Sequence, residues 1–293
     1  MRIIILLLTT FLLFQLAELH AQLPATKMYL LEGDFSKSSW DIDKLQYLTE
    51  FNPTGYNNQP SWSSGSEIYF TSNHNALGLT DIYKIDLRTN RLTRITKTEE
   101  SEYSPQLNAD GNITVVRQEL DDSPQVPQTL WSYPSTLTSY GTNLIPRRSD
   151  IGYYCMLPSR HVALFIVGDK SSLQILDMDD EDEEFISYNV GRCMRHDQTG
   201  GLLYVQKLGS TWLLKRRVLD AGLTQTITPM LDDVEDFDIL SDGNLIAGKG
   251  GVLYIYNMST KDGWKEVIDL SSAGIRKITR IAANTDKLVI VSE

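Results

Sequence analysis

An all-β fold, a six-bladed β-propeller of four-stranded antiparallel blades, is what this sequence predicts, and three observations predict it. Short runs alternate apolar and polar residues in period two, separated by Gly, Asn, Asp and Ser, the pattern of strands joined by tight turns. The runs come in groups of four, and the groups recur along the chain. The last group stops after two strands, while two spare strands stand near the N-terminus. A four-stranded sheet exposes two apolar faces, so it must stack on neighbours. Closing the stack into a ring protects the edges.

The elements follow in order. Residues 1–21 have a short positive start at Arg2 and an apolar core over 3–8 and 11–14, with Ala21 before a cut ahead of Gln22. This is the pattern of a secretory leader, and its apolar run falls short of the roughly 20 residues that span a bilayer. No Cys stands near the cut to carry a lipid anchor. The expectation is an exported protein, periplasmic or extracellular, whose residues 22–293 form one propeller domain without a membrane span.

Segments 27–32 (KMYLLE) and 44–49 (KLQYLT) match the third and fourth strands of a unit. The first complete unit then reads as strands over 60–62, 67–71, 81–87 and 91–96, with turns at Ser64-Gly65 and Thr89-Asn90. In the second unit Asp110-Gly111 takes the place of Ser64-Gly65, and its last strand lies near 142–145. The third unit contains YYCMLPSRHVALFIV, SLQILDM and EFISY; the fourth, RCMRHDQTGGLLYVQ, TWLLKRRVL and TQTIT. The fifth contains EDFDILSDGNLIAGK, GVLYIYN and WKEVIDL, and ITRIAANTDKLVIVSE starts the sixth. First turns fall near 65, 111, 159, 200, 243 and 285, a mean step of 44 residues. The residues after 21 therefore make about six units. The sixth closes with the N-terminal strands.

Composition sets the outer limits. The 293 residues carry 38 acidic and 27 basic side chains, a net charge of −11, with 41% hydrophobic and 22% charged. The apolar fraction is too high for disorder. The acidic balance excludes nucleic acid, whose phosphates demand a basic face. Two cysteines make neither a disulfide framework nor a structural zinc site.

The motif NQPSWS–G–EIYFTS–DIYKIDL–LTRIT, with SPQLNADGNITVV after it, resembles the repeat of the TolB-like six-bladed β-propeller superfamily, which runs PsfSpDGk-iyFtS-DIy-vdl-LT. The resemblance is carried by residues 57–117; later units match by spacing and turn residues. It differs from the two-domain members, which place an α/β domain before the propeller, so their partners are not implied here. Some members resemble pectin-oligomer lyases, in which several His and a Gln hold a metal at the channel.

No G-x-S-x-G elbow and no sialidase-type S-x-D-x-G-x-x-W box occurs. Beyond the leader the histidines are His74, His161 and His196. Repeat position puts them at different heights, so no metal site is expected. The acidic run of Asp177, Asp179, Asp180, Glu181, Asp182, Glu183 and Glu184 reads as a solvated outer turn. It is also the one candidate for Ca²⁺, in a chain otherwise expected to need no cofactor. Cys155 and Cys193 are repeat-equivalent; two buried free thiols are the default and a disulfide is the alternative. Trp62, Trp131, Trp212 and Trp264 read as blade packing, and Trp40 as exposed.

The functional surface follows from topology. Loops joining second to third strands, and one blade to the next, gather at one face around the channel mouth, where a rigid frame presents them. That places Tyr56, Asn58, His74, Glu102, Tyr103, Arg117, Asp121 and Arg147 together as candidate binding residues. The expectation is a monomeric, non-enzymatic interaction propeller for a protein or cell-envelope ligand. The alternative is a polysaccharide- or oligosaccharide-active lyase or hydrolase with its site at the channel mouth.

Overall fold

The computed structural model describes residues 23–35, 40–120, 126–135 and 140–293. The leader and its cut therefore lie outside the described residues, as does Asp121. The chain opens with β1 (Lys27–Gly33) and β2 (Ile42–Tyr47). Blade one follows as β3 (Asn57–Trp62), β4 (Glu67–Ser72), β5 (Asp81–Asp86) and β6 (Arg91–Arg94). Blade two is β7 (Ser101–Leu107), β8 (Asn112–Gln118), β9 (Gln128–Pro134) and the two-residue β10 (Thr142–Asn143). Blade three is β11 (Ile151–Met156), β12 (His161–Ile166), β13 (Ser172–Asp177) and β14 (Glu183–Tyr188). Blade four is β15 (Val190–His196), β16 (Gly201–Leu208), β17 (Thr211–Val218) and β18 (Leu223–Pro229). Blade five is β19 (Phe237–Ile239), β20 (Leu245–Lys249), β21 (Val252–Tyr256) and β22 (Trp264–Asp269). The sixth blade begins with β23 (Ile278–Ala283) and β24 (Lys287–Ser292), and its strand order is β2-β1-β24-β23. The ring closes as expected, with Lys27 paired to Ser292 and Glu32 to Lys287.

Turn chemistry sets the register. In blade two Asp110 Oδ1 accepts from the Asn112 amide at 2.9 Å, and Gly111 takes φ +80°. In blade five Asp242 does the same for Asn244, and Gly243 takes φ +84°. Side-chain capping and a positive φ close each hairpin without strain. The inner strands carry a second regularity: Gln59 and Ser104, each before a proline, have φ of +56° and +55°. Pairing slips between Asn58 and Ser61 and between Tyr103 and Gln106. These bulges bend the inner strands at the channel.

The core is divided rather than central. Six apolar clusters occupy the spaces between successive blades. Phe70 packs with Met28 and Val291 between blades one and six, and Phe237 packs with Leu203 and Val205 between blades four and five. Ring contacts are also pinned by polar side chains. Trp62 Nε1 donates to the Ala282 carbonyl at 3.0 Å, and Gln106 Nε2 donates to the Tyr154 carbonyl at 3.1 Å. Trp40 is a correction: it is 5% exposed and packs against Phe35 at 4.6 Å. Its indole packs in the cluster shared by blades five and six.

Candidate functional site: the central channel

The inner strands surround a channel cavity of about 340 Å³, lined by residues of all six blades. Its charged lining comes from blades four to six. Arg192 and Arg195 lie on β15, Asp238 on β19 and Arg280 on β23. At the third residue of their inner strands stand Tyr103, Tyr153, Arg192 and Arg280. Tyr56, immediately ahead of β3, joins them, and its ring meets that of Tyr103 edge-on at 6.5 Å. The Arg280 guanidinium lies over the Tyr153 ring at 5.2 Å and donates to its hydroxyl at 3.3 Å.

Most charges here serve the frame. Arg280 Nη1 donates to Asp236 Oδ2 at 3.2 Å, while Asp236 Oδ1 accepts the Ile281 amide at 2.9 Å. Arg195 Nε donates to Asp238 Oδ1 at 2.8 Å, and Asp238 Oδ2 accepts the Ala283 amide. Arg195 spends its remaining nitrogens on the carbonyls of Met194 and Ile281. Each aspartate thus bridges an arginine and the backbone of the next blade. Paired and hydrogen-bonded, such carboxylates are costly to disturb. Burial works against the charge on Arg280, yet the neighbouring Tyr153, Asp236 and Tyr56 hold it above the ordinary guanidinium value. Burial also pushes the Tyr56 phenol up, against the pull of Arg280 and Arg192, so it stays a neutral donor.

Arg192 differs. Its Nε lies 3.1 Å from Glu235 Oε1 without an aligned hydrogen bond. Glu235 is already taken by Lys207 at 2.6 Å.

The residues expected at the channel mouth separate. Tyr56 and Tyr103 belong to the ring just described. Asn58 is buried and turned onto its own backbone, with Oδ1 accepting the Gln59 amide at 2.8 Å. His74 packs between Phe51 at 5.0 Å and Tyr83 at 6.2 Å. Glu102 is fully buried between blades one and two. Its Oε1 accepts from Thr98, and from Tyr133 at 3.4 Å, while Oε2 has no partner. Burial raises this carboxyl to about 7, against the opposing Thr98 hydrogen bond. Arg117 stacks over Trp131 at 4.4 Å and pairs with Glu100 at 3.4 Å. Arg147 is a correction in place: it pairs with Glu181 at 3.5 Å and Glu183 at 3.1 Å, on the turn between β13 and β14. That turn holds the acidic run, which Arg148 and Arg160 also neutralise, at 2.9 Å to Glu183 and 2.5 Å to Asp179.

Both cysteines are free and buried. Cys155 packs in the cluster between blades three and four, and Cys193 in the next one, between blades four and five. Equivalent positions thus face different interfaces, which is why equivalence does not bring the sulfurs together. Burial lifts the thiols to about 11 and about 12, values that leave them unreactive near neutrality.

The sequence missed Tyr153, Arg192 and Arg280. Their common signal was available as the third position of each inner strand, but it emerges only once strand starts are fixed. The histidines do not fit the metal centre that some superfamily members would imply. His161 Nδ1 contacts the Ser159 carbonyl at 2.9 Å, His196 Nε2 is buried without a partner, and His74 lies in another blade. Among the described residues no group of three His, Cys, Asp or Glu is placed to hold a metal ion.

No protein-family model matches the chain, and no curated relative does. Solved structures do. A putative TolB from Agrobacterium tumefaciens is similar over 92% of this chain and 98% of its own, with TM-score 0.66 and 9% identity. A nidogen/laminin complex gives 0.64 at 10% identity, over 92% of this chain and 98% of that one. An oligogalacturonate lyase in complex with manganese gives 0.55 at 14% identity, over 83% and 74%. At these identities the likeness is one of fold. The chain has the TolB-like six-bladed propeller fold. Among the described residues no helix is long and apolar enough to cross a membrane.

Proposed function

We propose that this chain is an exported, non-enzymatic binding propeller that holds a protein or cell-envelope component at the channel mouth. One observation carries the reading. The carboxylates nearest the channel, Glu235, Asp236 and Asp238, are committed to arginine, lysine and neighbouring backbone amides. A general base needs a free carboxylate within reach of a substrate proton, whereas the arginine and tyrosine groups beside them suit recognition. The leader-like residues 1–21 support export, and a solved relative in fold is a protein–protein complex.

The test is affinity capture from a cell-envelope extract, with wild type compared with a Tyr103→Ala/Arg192→Glu variant. A component retained by the first and lost by the second is expected. In parallel, wild type is assayed on oligogalacturonides with Mn²⁺. Turnover there, or capture that ignores the variant, would overturn the reading. Recovery of a mature chain beginning at Gln22 from the periplasm or medium checks the export step; an intact N-terminus in the cytoplasm would sink it.

A further inference from the structure

We infer that the channel ring of Arg192 and Arg280, flanked by Tyr56, Tyr103 and Tyr153, is a binding site for an oxyanion, a carboxylate or phosphate group of a ligand entering the channel. The inference deepens the binding reading by naming the chemistry that the site recognises, and rests on it only for the identity of the ligand's bearer.

The first argument is local charge. The chain as a whole carries −11, yet four cations, Arg192, Arg195, Lys207 and Arg280, meet three carboxylates, Glu235, Asp236 and Asp238, in ion pairs around the channel. One positive charge is left over among the groups that line the channel and the two recesses beside it. Such focusing of one sign in a concave site attracts the opposite charge.

The second argument is unused hydrogen-bonding capacity. Arg195 is spent on Asp238 and two carbonyls. Arg280 leaves its Nε buried without a partner. Arg192, partly exposed, donates no hydrogen bond from either terminal nitrogen to any described residue, and its buried Nε faces Glu235 Oε1 at 3.1 Å without an aligned hydrogen bond. Buried donors left unpaired are costly, and a planar guanidinium fork matches a carboxylate or phosphate edge. Arg192 also borders three adjoining recesses: the channel and the two that open beside β19 and β13. It is thus reachable from the face on which the inner strands begin. The tyrosines add hydroxyl donors and one ring against which Arg280 is held in place, so the fork is already oriented before an anion arrives.

The experiment uses the leaderless chain folded as purified, with calorimetric titration and melting temperature read together. The probes are inorganic phosphate and citrate, each against sodium chloride at matched ionic strength. Wild type is expected to bind one or both with an upward melting shift, and Arg192→Gln to weaken that binding about tenfold. Arg160→Gln, which loses the ion pair to Asp179 of the acidic outer turn, is expected to bind as wild type does. Arg280→Gln strands Asp236 and is expected to melt lower, so Arg192→Gln carries the decision. A response to phosphate alone assigns a phosphoryl-bearing ligand, and a response to citrate alone a carboxylate-bearing one; either supports the site. No response beyond chloride, or equal responses from Arg192→Gln and wild type, overturns it. An envelope component captured by wild type and lost by Tyr103→Ala/Arg192→Glu, with neither probe binding wild type, would remove the anion site and leave the binding reading standing. Anion binding with no captured component would do the reverse.

Discussion

Glu102 shows how much one side chain can make stability depend on pH. Fully buried and with Oε2 unpartnered, it keeps its proton to about pH 7 in the folded chain. An unfolded glutamate releases its proton near its ordinary value, so the folded state binds the extra proton between the two. Stability is therefore full below the unfolded value and falls as pH rises through 7, by about 3 kcal/mol once ionisation is complete. Melting temperature should decline between pH 5 and 8 in wild type, and Glu102→Gln should flatten that decline. Equal slopes in the two proteins would show that the burden lies elsewhere. Burial pushes the Asp236 carboxyl up as well, and Arg280 with the Ile281 amide offsets only part of that push.

Hairpins and inner strands carry most of what was legible in the sequence. Period-two alternation bounded by Asp-Gly and Ser-Gly turns locates strands such as β4 and β8 to within a residue or two, because turn and strand obey local rules. Side-chain direction in the inner strands was not legible. Bulges between Asn58 and Ser61, Tyr103 and Gln106, Val190 and Met194, and Ile278 and Arg280 shift the pairing, and each shift flips which residues face the channel. Arg192 and Arg280 were hidden for that reason, and Arg147 was placed by loop order when its position is set by Glu181 and Glu183. Trp40 was lost differently: nothing local in its segment announces Phe35 as its partner. Tight approaches at element ends are testable as well. A Cβ on Gly251 would lie 2.5 Å from Ser271 Oγ and closer still to the Ile275 carbonyl oxygen, which is backbone and cannot step aside cheaply. Gly251→Ala should cost on the order of 1–3 kcal/mol in chemical denaturation. An unchanged midpoint would mean that the short 3-10 turn at Ser271–Ala273 yields more readily than its geometry implies.

Across the whole molecule, the distribution of the core among six interfaces makes each blade depend on two neighbours. Removing residues 22–50 would delete β1 and β2, leaving blade six with two strands and uncovering Phe70, Tyr83 and Val289, which Met28 and Leu30 cover in the intact chain. Such a truncation should lose the cooperative melt of the full chain, since edge and apolar face are exposed together. Mixing it with a separate peptide of residues 22–50 should restore the transition in part. A truncation that melts as sharply as the parent would show that the ring does not need its closure.

The closing ladder has a mechanical consequence. Lys27 stands opposite Ser292, so the first residue of β1 and the last of β24 lie at the same end of one antiparallel pair. Tension applied to the two ends of the propeller would load the hydrogen bonds one after another, as in a zipper, instead of all at once. A tether drawn through these ends would open the ring at a low force, blade six first. An equal pull between Lys27 and Lys287, or between Ser292 and Glu32, would load the pairs together in shear.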